Sequence, residues 1–277
     1  MTFAATSLAI LLWLAVPGAA HADELVEVAG HRAAIAPERA DATPPLLGFL
    51  ARPGGTGRFP AVILLHGCSG FDSHDTEAAA TLKSWGYVAL ALDSLGSANL
   101  CAGRGIPGVA AEIVDAYAAL RYLGAQGFVA GARVAVMGWS MGADASLAAV
   151  ETGMPWRAGG ESFVAAIAYY PKCAAHAGVM TAPALVLVGE QDDWMPAAPC
   201  RKLAIHESDV GMTRDPATGT PIELIVLANA THGFDYRLPP HTYLGHVIRY
   251  DEAAARDAGT AVRRFLRDML GDQADNP

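Results

Sequence analysis

The sequence predicts one α/β domain built on a mostly parallel, doubly wound sheet with helices on both faces. Short apolar runs alternate with amphipathic stretches along most of the 277-residue chain, which is typical of repeated strand–helix–strand units. Hydrophobic residues make up 52% of the chain and charged residues 17%, so the chain can bury a large core. No repeat, low-complexity tract or Pro- or Ser-rich linker divides the sequence into separate units.

The strands are predicted from apolar runs that are continuous rather than alternating, because a strand covered by helices on both faces is apolar in both directions. The predicted parallel strands span residues 61–65, 87–92, 133–137, 164–169, 184–188 and 222–227. Two earlier segments, 25–35 and 46–52, are predicted to be antiparallel strands that lead into the sheet.

The helices are predicted between these strands, at residues 77–85, 108–123, 141–150, 198–208 and 251–270. In the second of them, apolar side chains recur at spacings of three and four, which places them on one helical face. The polar stretch 211–221 is predicted to be a surface excursion before the last strand. No insertion large enough to form a lid is visible in the sequence.

The charge of the chain limits its partners. Nineteen Lys and Arg residues against 28 Asp and Glu residues give a formal net charge of −9. An acidic protein repels the phosphate backbone of nucleic acids and the surface of anionic membranes. We therefore expect no nucleic-acid partner. The small-molecule partner that we expect is inferred from the motifs described below, and the oligomeric state stays open.

The first 22 residues have the pattern of a secretory signal peptide. An apolar run over residues 8–16 ends at Pro17-Gly18, and Ala20-His21-Ala22 fits the small-x-small cleavage pattern. The run is shorter than the roughly 20 residues of a spanning helix. The segment departs from the usual signal-peptide pattern in having no Lys or Arg. The alternative is an uncleaved anchor. We expect cleavage after Ala22 and a mature domain over 23–277. The mature protein is expected to be periplasmic or secreted and free of the membrane.

A candidate nucleophile follows the predicted strand 133–137. Gly138-Trp139-Ser140-Met141-Gly142 has the pattern G-x-S-x-G between a strand and a helix. In that context the serine sits on a sharp turn at a helix N-terminus, where free backbone N–H groups stabilise negative charge. Ser140 is the candidate nucleophile, and the alternative is an ordinary serine in a tight turn.

A serine hydroxyl needs a base, and the expected chain order is nucleophile, acid, then histidine. Asp192 follows the strand 184–188, and His232 follows the strand 222–227. We expect His232 to move the proton of Ser140 and Asp192 to orient the imidazole. Asp193 and Glu190 are alternative acids, and His232 could instead be an ordinary turn histidine.

The oxyanion of an acyl-transfer reaction needs two N–H donors. One is expected from Met141, directly after the nucleophile, and the other from Cys68 in the loop after the first parallel strand. His66 lies in that same loop, and a structural role is expected for it rather than a role as base. Trp139 and Trp194 flank the candidate nucleophile and acid, so they are candidates for substrate binding or for core packing.

These motifs together resemble the α/β-hydrolase superfamily and, within it, the dienelactone hydrolase family. The residues that carry the resemblance are 65–70, 86–88, Asp93-Ser94, 138–142, Tyr170-Pro171, 189–196 and 232–235. Dienelactone hydrolases proper use a cysteine nucleophile that a glutamate holds in check. Here Ser140 stands at the nucleophile position, and the loop that would supply the glutamate contains His66-Gly67-Cys68. The elbow also resembles that of bacterial cutinases and polyester hydrolases.

The four cysteines are expected to form two disulfides, since their number is even and the chain has an export signal. None forms a C-x-x-C pair, which disfavours a zinc ribbon or a thioredoxin-like site. Four cysteines allow three pairings. Within the fold implied by the resemblance, Cys68 and Cys101 follow neighbouring strands, as do Cys173 and Cys200. We therefore predict Cys68–Cys101 and Cys173–Cys200.

The function expected from the sequence is a serine hydrolase that cleaves carboxylic esters through an acyl-enzyme. The alternatives are a lactone or polyester hydrolase with the same triad, and a catalytically silent binding protein on the same fold. No cofactor is expected, because no phosphate-binding glycine loop is present. No metal is expected either, since His241 and His246 are five residues apart.

Overall fold

The structure is a computed structural model that describes residues 22–28, 46–94, 101, 106–153, 160–205 and 219–271. Within these residues the main element is an eight-stranded sheet with the strand order β1-β2-β4-β3-β5-β6-β7-β8. Its strands are β1 (Glu24–Val28), β2 (Leu46–Ala51), β3 (Phe59–Leu65), β4 (Val88–Asp93), β5 (Val129–Trp139), β6 (Ala165–Tyr169), β7 (Ala184–Gly189) and β8 (Ile222–Leu227).

The strands from β3 to β8 run parallel to one another, while β1 and β2 form an antiparallel edge that joins the sheet at β4. This arrangement confirms the predicted α/β-hydrolase fold. The first predicted strand, 25–35, corresponds to β1, and its part beyond residue 28 lies outside the described residues.

Five helices are described, together with a short 3-10 turn at Cys173–Ala175. They are α1 (Ser73–Ser84), α2 (Ile106–Gly124), α3 (Met141–Ala149), α4 (Ala197–Ala204) and α5 (Glu252–Leu270). The described part of the chain contains no helix that is long and apolar enough to cross a membrane. Most of the predicted surface excursion at 211–221 lies outside the described residues.

The core consists of two apolar layers, one on each face of the sheet. The buried strand β3 shows both layers, because alternate side chains of a strand point to opposite faces. Ile63 and Leu65 pack in the layer that contains residues of α2, α3 and α4. Val62 and Leu64 pack in the layer that contains residues of α1 and α5. Helices therefore cover both faces, and the carboxyl ends of the parallel strands are left to carry the functional loops.

Helix α1 begins four residues before the start predicted from its apolar spacing. Asp72 is the N-cap residue, and its side chain accepts a hydrogen bond from the His74 N–H at 2.7 Å. The Asp75 side chain accepts the Asp72 N–H at 2.9 Å, which completes a capping box. The cap satisfies N–H groups that otherwise have no partner in the first turn, so the helix extends over a polar segment.

A two-stranded hairpin also follows β8 and was not predicted. Strands β9 (His241–Tyr243) and β10 (His246–Ile248) pair antiparallel around a turn at Leu244-Gly245. Both turn residues have positive φ, 52° and 91°, as the common two-residue hairpin turn requires. Leucine is not a usual residue at such a position, so the sequence signal for this turn is weak.

Two disulfides are present, and they pair Cys68 with Cys101 and Cys173 with Cys200. Their Cα–Cα distances are 4.9 and 5.0 Å, within the normal range of 4.4–6.8 Å. The first joins the loop after β3 to the segment after β4, and the second joins the segment after β6 to α4. These are the two pairs expected from the order of the strands.

Candidate active site

Ser140 lies in a sharp turn between β5 and α3. Its φ is 51°, and it is the N-cap residue of α3 without a side-chain capping bond, so its hydroxyl is available to other partners. The turn is tight on both sides. A Cβ on Gly138 would lie 2.2 Å from the Gly142 oxygen, and one on Gly142 would lie 2.3 Å from the Leu65 oxygen. The two glycines of the motif are therefore required by close backbone contacts.

The imidazole of His232 lies between Ser140 and Asp192. Its Nε2 is 3.2 Å from Ser140 Oγ, and its Nδ1 is 2.9 Å from Asp192 Oδ2. All three residues are at most 9% exposed. They follow β5, β7 and β8 at the carboxyl edge of the sheet, which brings together residues that are up to 92 positions apart in sequence.

The Asp192 carboxylate is held by its own loop. Its Oδ1 accepts the N–H groups of Trp194 and Met195 at 2.9 and 2.7 Å, which leaves Oδ2 for the imidazole. The two alternative acids have other contacts. Asp193 is exposed and its Oδ1 lies 3.5 Å from His246 Nδ1, and Glu190 pairs with Arg201. The hydrogen-bond geometry thus selects Asp192 as the partner of the imidazole.

The loop after β3 packs against the turn between β5 and α3 that contains Ser140, which we call the nucleophile turn. A Cβ on Gly67 would lie 3.9 Å from Ser140 Cβ, and Cys68 lines the same cavity as Ser140. Met141 is the first residue of α3, where N–H groups have no partner within the helix. Cys68 and Ser140 thus line one cavity, and Met141 directly follows Ser140 at the start of α3.

His66 contacts the backbone of its own loop rather than the serine. Its Nδ1 is 2.8 Å from the Gly67 carbonyl oxygen and 3.4 Å from Glu112 Oε1. Burial lowers the pKa of His66, which favours the neutral imidazole. Burial also raises the pKa of Glu112 well above its usual range. These contacts fix the loop that carries Cys68.

A cavity of about 230 Å³ opens next to Ser140. Its walls come from the segments after β3, β4, β5, β6, β7 and β8 and from the hairpin. The lining residues are Gly67, Cys68, Ser69, Asp72, Cys101, Trp139, Ser140, Tyr170, Trp194, His232, Gly233, Tyr236, Leu238, His241, Tyr243 and Ile248. Aromatic and aliphatic side chains dominate this wall, as expected for a small-molecule pocket.

The two predicted tryptophans occupy different positions in that wall. Trp194 is partly exposed, its ring centroid lies 4.9 Å from that of His232, and it stacks on His246 at 4.8 Å. Trp139 is only 2% exposed, and its indole N–H donates to Asp235 Oδ2 at 2.8 Å. Trp194 is therefore the more exposed of the two, while Trp139 is buried and donates its indole hydrogen bond to Asp235.

The structure also brings in residues that the sequence did not single out as site residues. Tyr170 lies 4.5 Å from the His232 ring, centroid to centroid, and its hydroxyl donates to Asp235 Oδ1 at 2.8 Å. Residues of the hairpin close one side of the cavity. Asp235 was part of the family motif, but no spacing rule indicates that its carboxylate turns back towards the nucleophile turn.

No metal-binding arrangement is found in the described ranges, where no group of three or more His, Cys, Asp or Glu side chains could hold an ion. His241 and His246 lie on the hairpin. There His241 Nδ1 is 2.9 Å from the Pro239 carbonyl oxygen, and His246 packs on Trp194. His241 thus lines the cavity, while His246 contacts the lining residue Trp194.

The sequence matches the model of the dienelactone hydrolase family over residues 46–270. The chain belongs to this family. The matched region contains β2 to α5, and with them the nucleophile turn and both loops that contact the His232 imidazole. No curated protein sequence matches the chain. The match confirms the family resemblance that the motifs indicated.

Several solved structures share the fold. A dienelactone hydrolase-like promiscuous phosphotriesterase from metagenomic libraries is 24% identical, with a TM-score of 0.62 over 83% of this chain and 95% of that one. An esterase from Thermogutta terrifontis is 16% identical, with a TM-score of 0.67 over 91% and 94%. A puromycin-hydrolysing peptidase from Mycobacterium tuberculosis is 18% identical, with a TM-score of 0.62 over 91% of this chain and 40% of the peptidase.

Family membership and a serine in the nucleophile turn identify the activity class. This dienelactone hydrolase family member is a serine hydrolase that acts on ester bonds. Its Ser–His–Asp contacts are those that such a hydrolase uses to activate a hydroxyl nucleophile.

Proposed function

We propose that this hydrolase cleaves compact, uncharged carboxylic esters through an acyl-enzyme on Ser140. The observation that carries the proposal is the position of the His232 imidazole, 3.2 Å from Ser140 Oγ and 2.9 Å from Asp192 Oδ2. In this geometry one ring nitrogen can accept the hydroxyl proton while the carboxylate holds the other nitrogen as a donor.

Ser140 Oγ attacks the ester carbonyl carbon as His232 Nε2 takes the hydroxyl proton. The negative charge that forms on the carbonyl oxygen is stabilised by the N–H groups of Cys68 and Met141. The tetrahedral intermediate then collapses, the bond to the alcohol breaks, and His232 returns the proton to the leaving alcohol. Water attacks the acyl-enzyme by the same route, and the carboxylic acid leaves.

The charges around the cavity favour uncharged substrates. Asp72 is part of the wall, and the described part of the lining contains no Lys or Arg. The whole chain carries a formal charge of −9, so an anionic group meets repulsion at long range as well. A carboxylate on the substrate therefore has no described cation to compensate its loss of water.

The size of the cavity favours compact substrates. A volume of about 230 Å³ lies below the usual 300–1,000 Å³ of pockets for drug-sized ligands. The hairpin residues Tyr243 and Ile248 form part of the wall and limit the length of a bound chain. Acetate to butyrate esters are the expected substrates.

A panel of matched chromogenic esters tests this substrate class. The 4-nitrophenyl butyrate and 4-nitrophenyl succinate monoester differ mainly by a terminal carboxylate. The butyrate is expected to have a kcat/KM at least about tenfold higher, since an unpaired charge in a pocket costs more than 1.4 kcal/mol. Equal or faster turnover of the succinate would contradict the preference.

Lactones are the second candidate substrates, because the matched family is that of dienelactone hydrolases. The same serine can open a lactone ring, and the released alcohol then stays on the acyl chain. A neutral five-membered lactone and an open ester of equal carbon number separate the candidates. A higher kcat/KM on the lactone would favour this alternative. The release of soluble products from a polyester film tests for polymer hydrolysis.

We propose further that residues 1–22 are a signal peptide and that the mature protein, 23–277, acts outside the cytoplasm. The two disulfides support this location, since disulfides persist in oxidising compartments. Expression of the full chain in a bacterium with a periplasm, followed by N-terminal sequencing, tests the proposal. A mature N-terminus at Asp23 is expected, and an intact leader on cytoplasmic protein would contradict it.

A further inference from the structure

The carboxylate of Asp235 accepts hydrogen bonds from several residues next to the candidate active site. It accepts hydrogen bonds from Trp139 Nε1 and Tyr170 Oη, both at 2.8 Å, and its Oδ2 lies 3.1 Å from His74 Nε2. The side chain is only 13% exposed. These contacts connect the turn after β8 with the nucleophile turn, the end of β6 and helix α1.

Two of these partners adjoin the triad directly. Trp139 precedes Ser140 in the chain, and the Tyr170 ring lies 4.5 Å from the His232 ring. Ser140 and Tyr170 both have positive φ, 51° and 42°, a strained conformation for residues with a side chain. Such strain persists only where the surroundings hold it, and the Asp235 hydrogen bonds act on Tyr170 and on the residue next to Ser140.

The ionised form of Asp235 fits this role. The nearby His74 and the hydrogen bonds from His74, Tyr170 and Trp139 keep the pKa of Asp235 below its usual value despite burial. Asp235 raises the pKa of His74, as do Asp75 and Asp72 on the same helix. His74 also stacks on Tyr236 at 3.9 Å. The carboxylate is thus a charged acceptor, whose hydrogen bonds are stronger than those of a neutral one.

We propose that Asp235 is a positioning residue that holds Trp139 and Tyr170 so that Ser140 and His232 stay within reaction distance. It does not touch the substrate or exchange a proton in the reaction. The inference rests on the proposed triad and adds a residue to it. Small displacements of reacting groups are costly, since a shift of about 1 Å can lower the rate of reaction about a hundredfold.

The Asp235→Asn variant tests the proposal. An amide of the same shape carries no charge and offers one oxygen acceptor, so Trp139 and Tyr170 can no longer donate to two carboxylate oxygens, and His74 loses its carboxylate. We expect kcat to fall about 10- to 100-fold while KM changes less than about threefold. The rate constant for covalent labelling of Ser140 by a fluorophosphonate should fall by the same factor, because labelling uses the same attack.

The Tyr170→Phe variant keeps the ring and removes only its hydrogen bond to Asp235. A fall in kcat of about 3- to 10-fold is expected in the wild-type background. When Asp235 is already asparagine, adding Tyr170→Phe should lower kcat by less than twofold, because the two residues act as a unit. If Asp235→Asn does not fold, the kcat of the single Tyr170→Phe variant tests the proposal by itself.

The Glu151→Gln variant is the matched control. Glu151 is a buried carboxylate that accepts the Gly178 N–H and lies 3.2 Å from His176, beyond the end of α3 that is remote from Ser140. It should lose stability with kcat unchanged. A kcat within twofold of wild type in both Asp235→Asn and Tyr170→Phe would overturn the proposal. An equal loss of kcat in Glu151→Gln at equal loss of stability would overturn it as well.

Failure of the proposed triad gives a different result. If Ser140→Ala retains wild-type turnover, the triad is wrong and the role of Asp235 falls with it. If Ser140→Ala is inactive and the Asp235 variants are unchanged, only the role of Asp235 is wrong.

Discussion

Asp192 and Asp193 are neighbours in sequence, yet their carboxylates have different surroundings. Asp192 contacts the His232 imidazole at 2.9 Å, while Asp193 is exposed near His246. We expect Asp192→Asn to lower kcat about 10³- to 10⁴-fold, because the amide orients the wrong imidazole tautomer. Asp193→Asn should change kcat less than about threefold, since an exposed contact contributes little. Steady-state kinetics on 4-nitrophenyl butyrate measure both, and the reverse order of effects would contradict the assignment.

At the residue scale, the predictable part of the site is the part that follows strands directly. Ser140, Asp192 and His232 could be predicted because each stands at the carboxyl end of a strand, and such ends meet at one edge of a parallel sheet. The choice between Asp192 and Asp193 required side-chain geometry. Asp235 could not be derived from spacing, because its contacts depend on the path of the turn after His232.

At the element scale, the hairpin β9–β10 should set the length of the substrate. Register pairs place Tyr243 opposite His246 and Thr242 opposite Val247, and Tyr243 contributes to the cavity wall. Alternation puts Thr242 on the opposite face. In Tyr243→Ala the kcat/KM for an octanoate ester, relative to that for a butyrate ester, should rise about tenfold, because the side chain that closes this part of the cavity is removed. Thr242→Ala is the matched control, and an equal shift in that variant would exclude the wall as the cause.

The two disulfides should differ in their effect on activity. Cys68 carries one proposed oxyanion donor, whereas Cys173–Cys200 braces the segment after β6 against α4. Replacing either pair by serines should lower the free energy of unfolding by about 2–4 kcal/mol. Loss of Cys68–Cys101 should also lower kcat of the folded enzyme several-fold, through a looser donor loop. The kcat values at a temperature where both variants are folded measure this, and equal kcat would contradict it.

Element boundaries were predictable where apolar periodicity defines them and not where polar contacts do. Five of the six parallel strands match their apolar runs within two residues, because both layers of the core must cover them, whereas β5 begins four residues before its run. Helix α1 begins earlier than its apolar spacing indicates, owing to the capping box of Asp72 and Asp75. The hairpin has three-residue strands and a Leu-Gly turn, which gives too short a pattern for recognition.

At the scale of the whole molecule, stability should depend on the charge of His176. This buried imidazole lies between Glu151 at 3.2 Å and Asp144 at 3.7 Å. The hydrogen bond to Glu151 and the charges of both carboxylates outweigh its burial and raise its pKa to about 9. A raised pKa means that the folded state holds the proton more tightly, so this contribution is complete below pH 6.5 and is lost as the pH rises to about 9.

The His176→Asn variant isolates this contribution. Wild type should lose on the order of 3 kcal/mol of unfolding free energy between pH 6.5 and 9 through this group. The variant should be less stable at pH 6.5, and its unfolding free energy should lack the decrease with pH that His176 causes in the wild type. Denaturant unfolding at several pH values measures both effects. Parallel curves for the two proteins would show that His176 does not carry the charge.

The overall fold was predictable because a parallel sheet with helices on both faces follows from the alternation of strands and helices. The disulfide pairs were predictable from the fold that the family resemblance implies, since loops after neighbouring strands lie close together. The size and charge of the cavity could not be predicted. They arise from segments after six strands and from the hairpin, whose relative positions are set by tertiary packing.

Covalent labelling with a fluorophosphonate tests the central claim, that Ser140 is a nucleophile activated by His232, most directly. Intact-mass and peptide measurements on wild type should show one adduct per chain, on Ser140, with complete loss of esterase activity. Ser140→Ala should take up no label, and His232→Ala should be labelled orders of magnitude more slowly. Folded wild-type protein without an adduct, or with an adduct on another residue, would contradict the account.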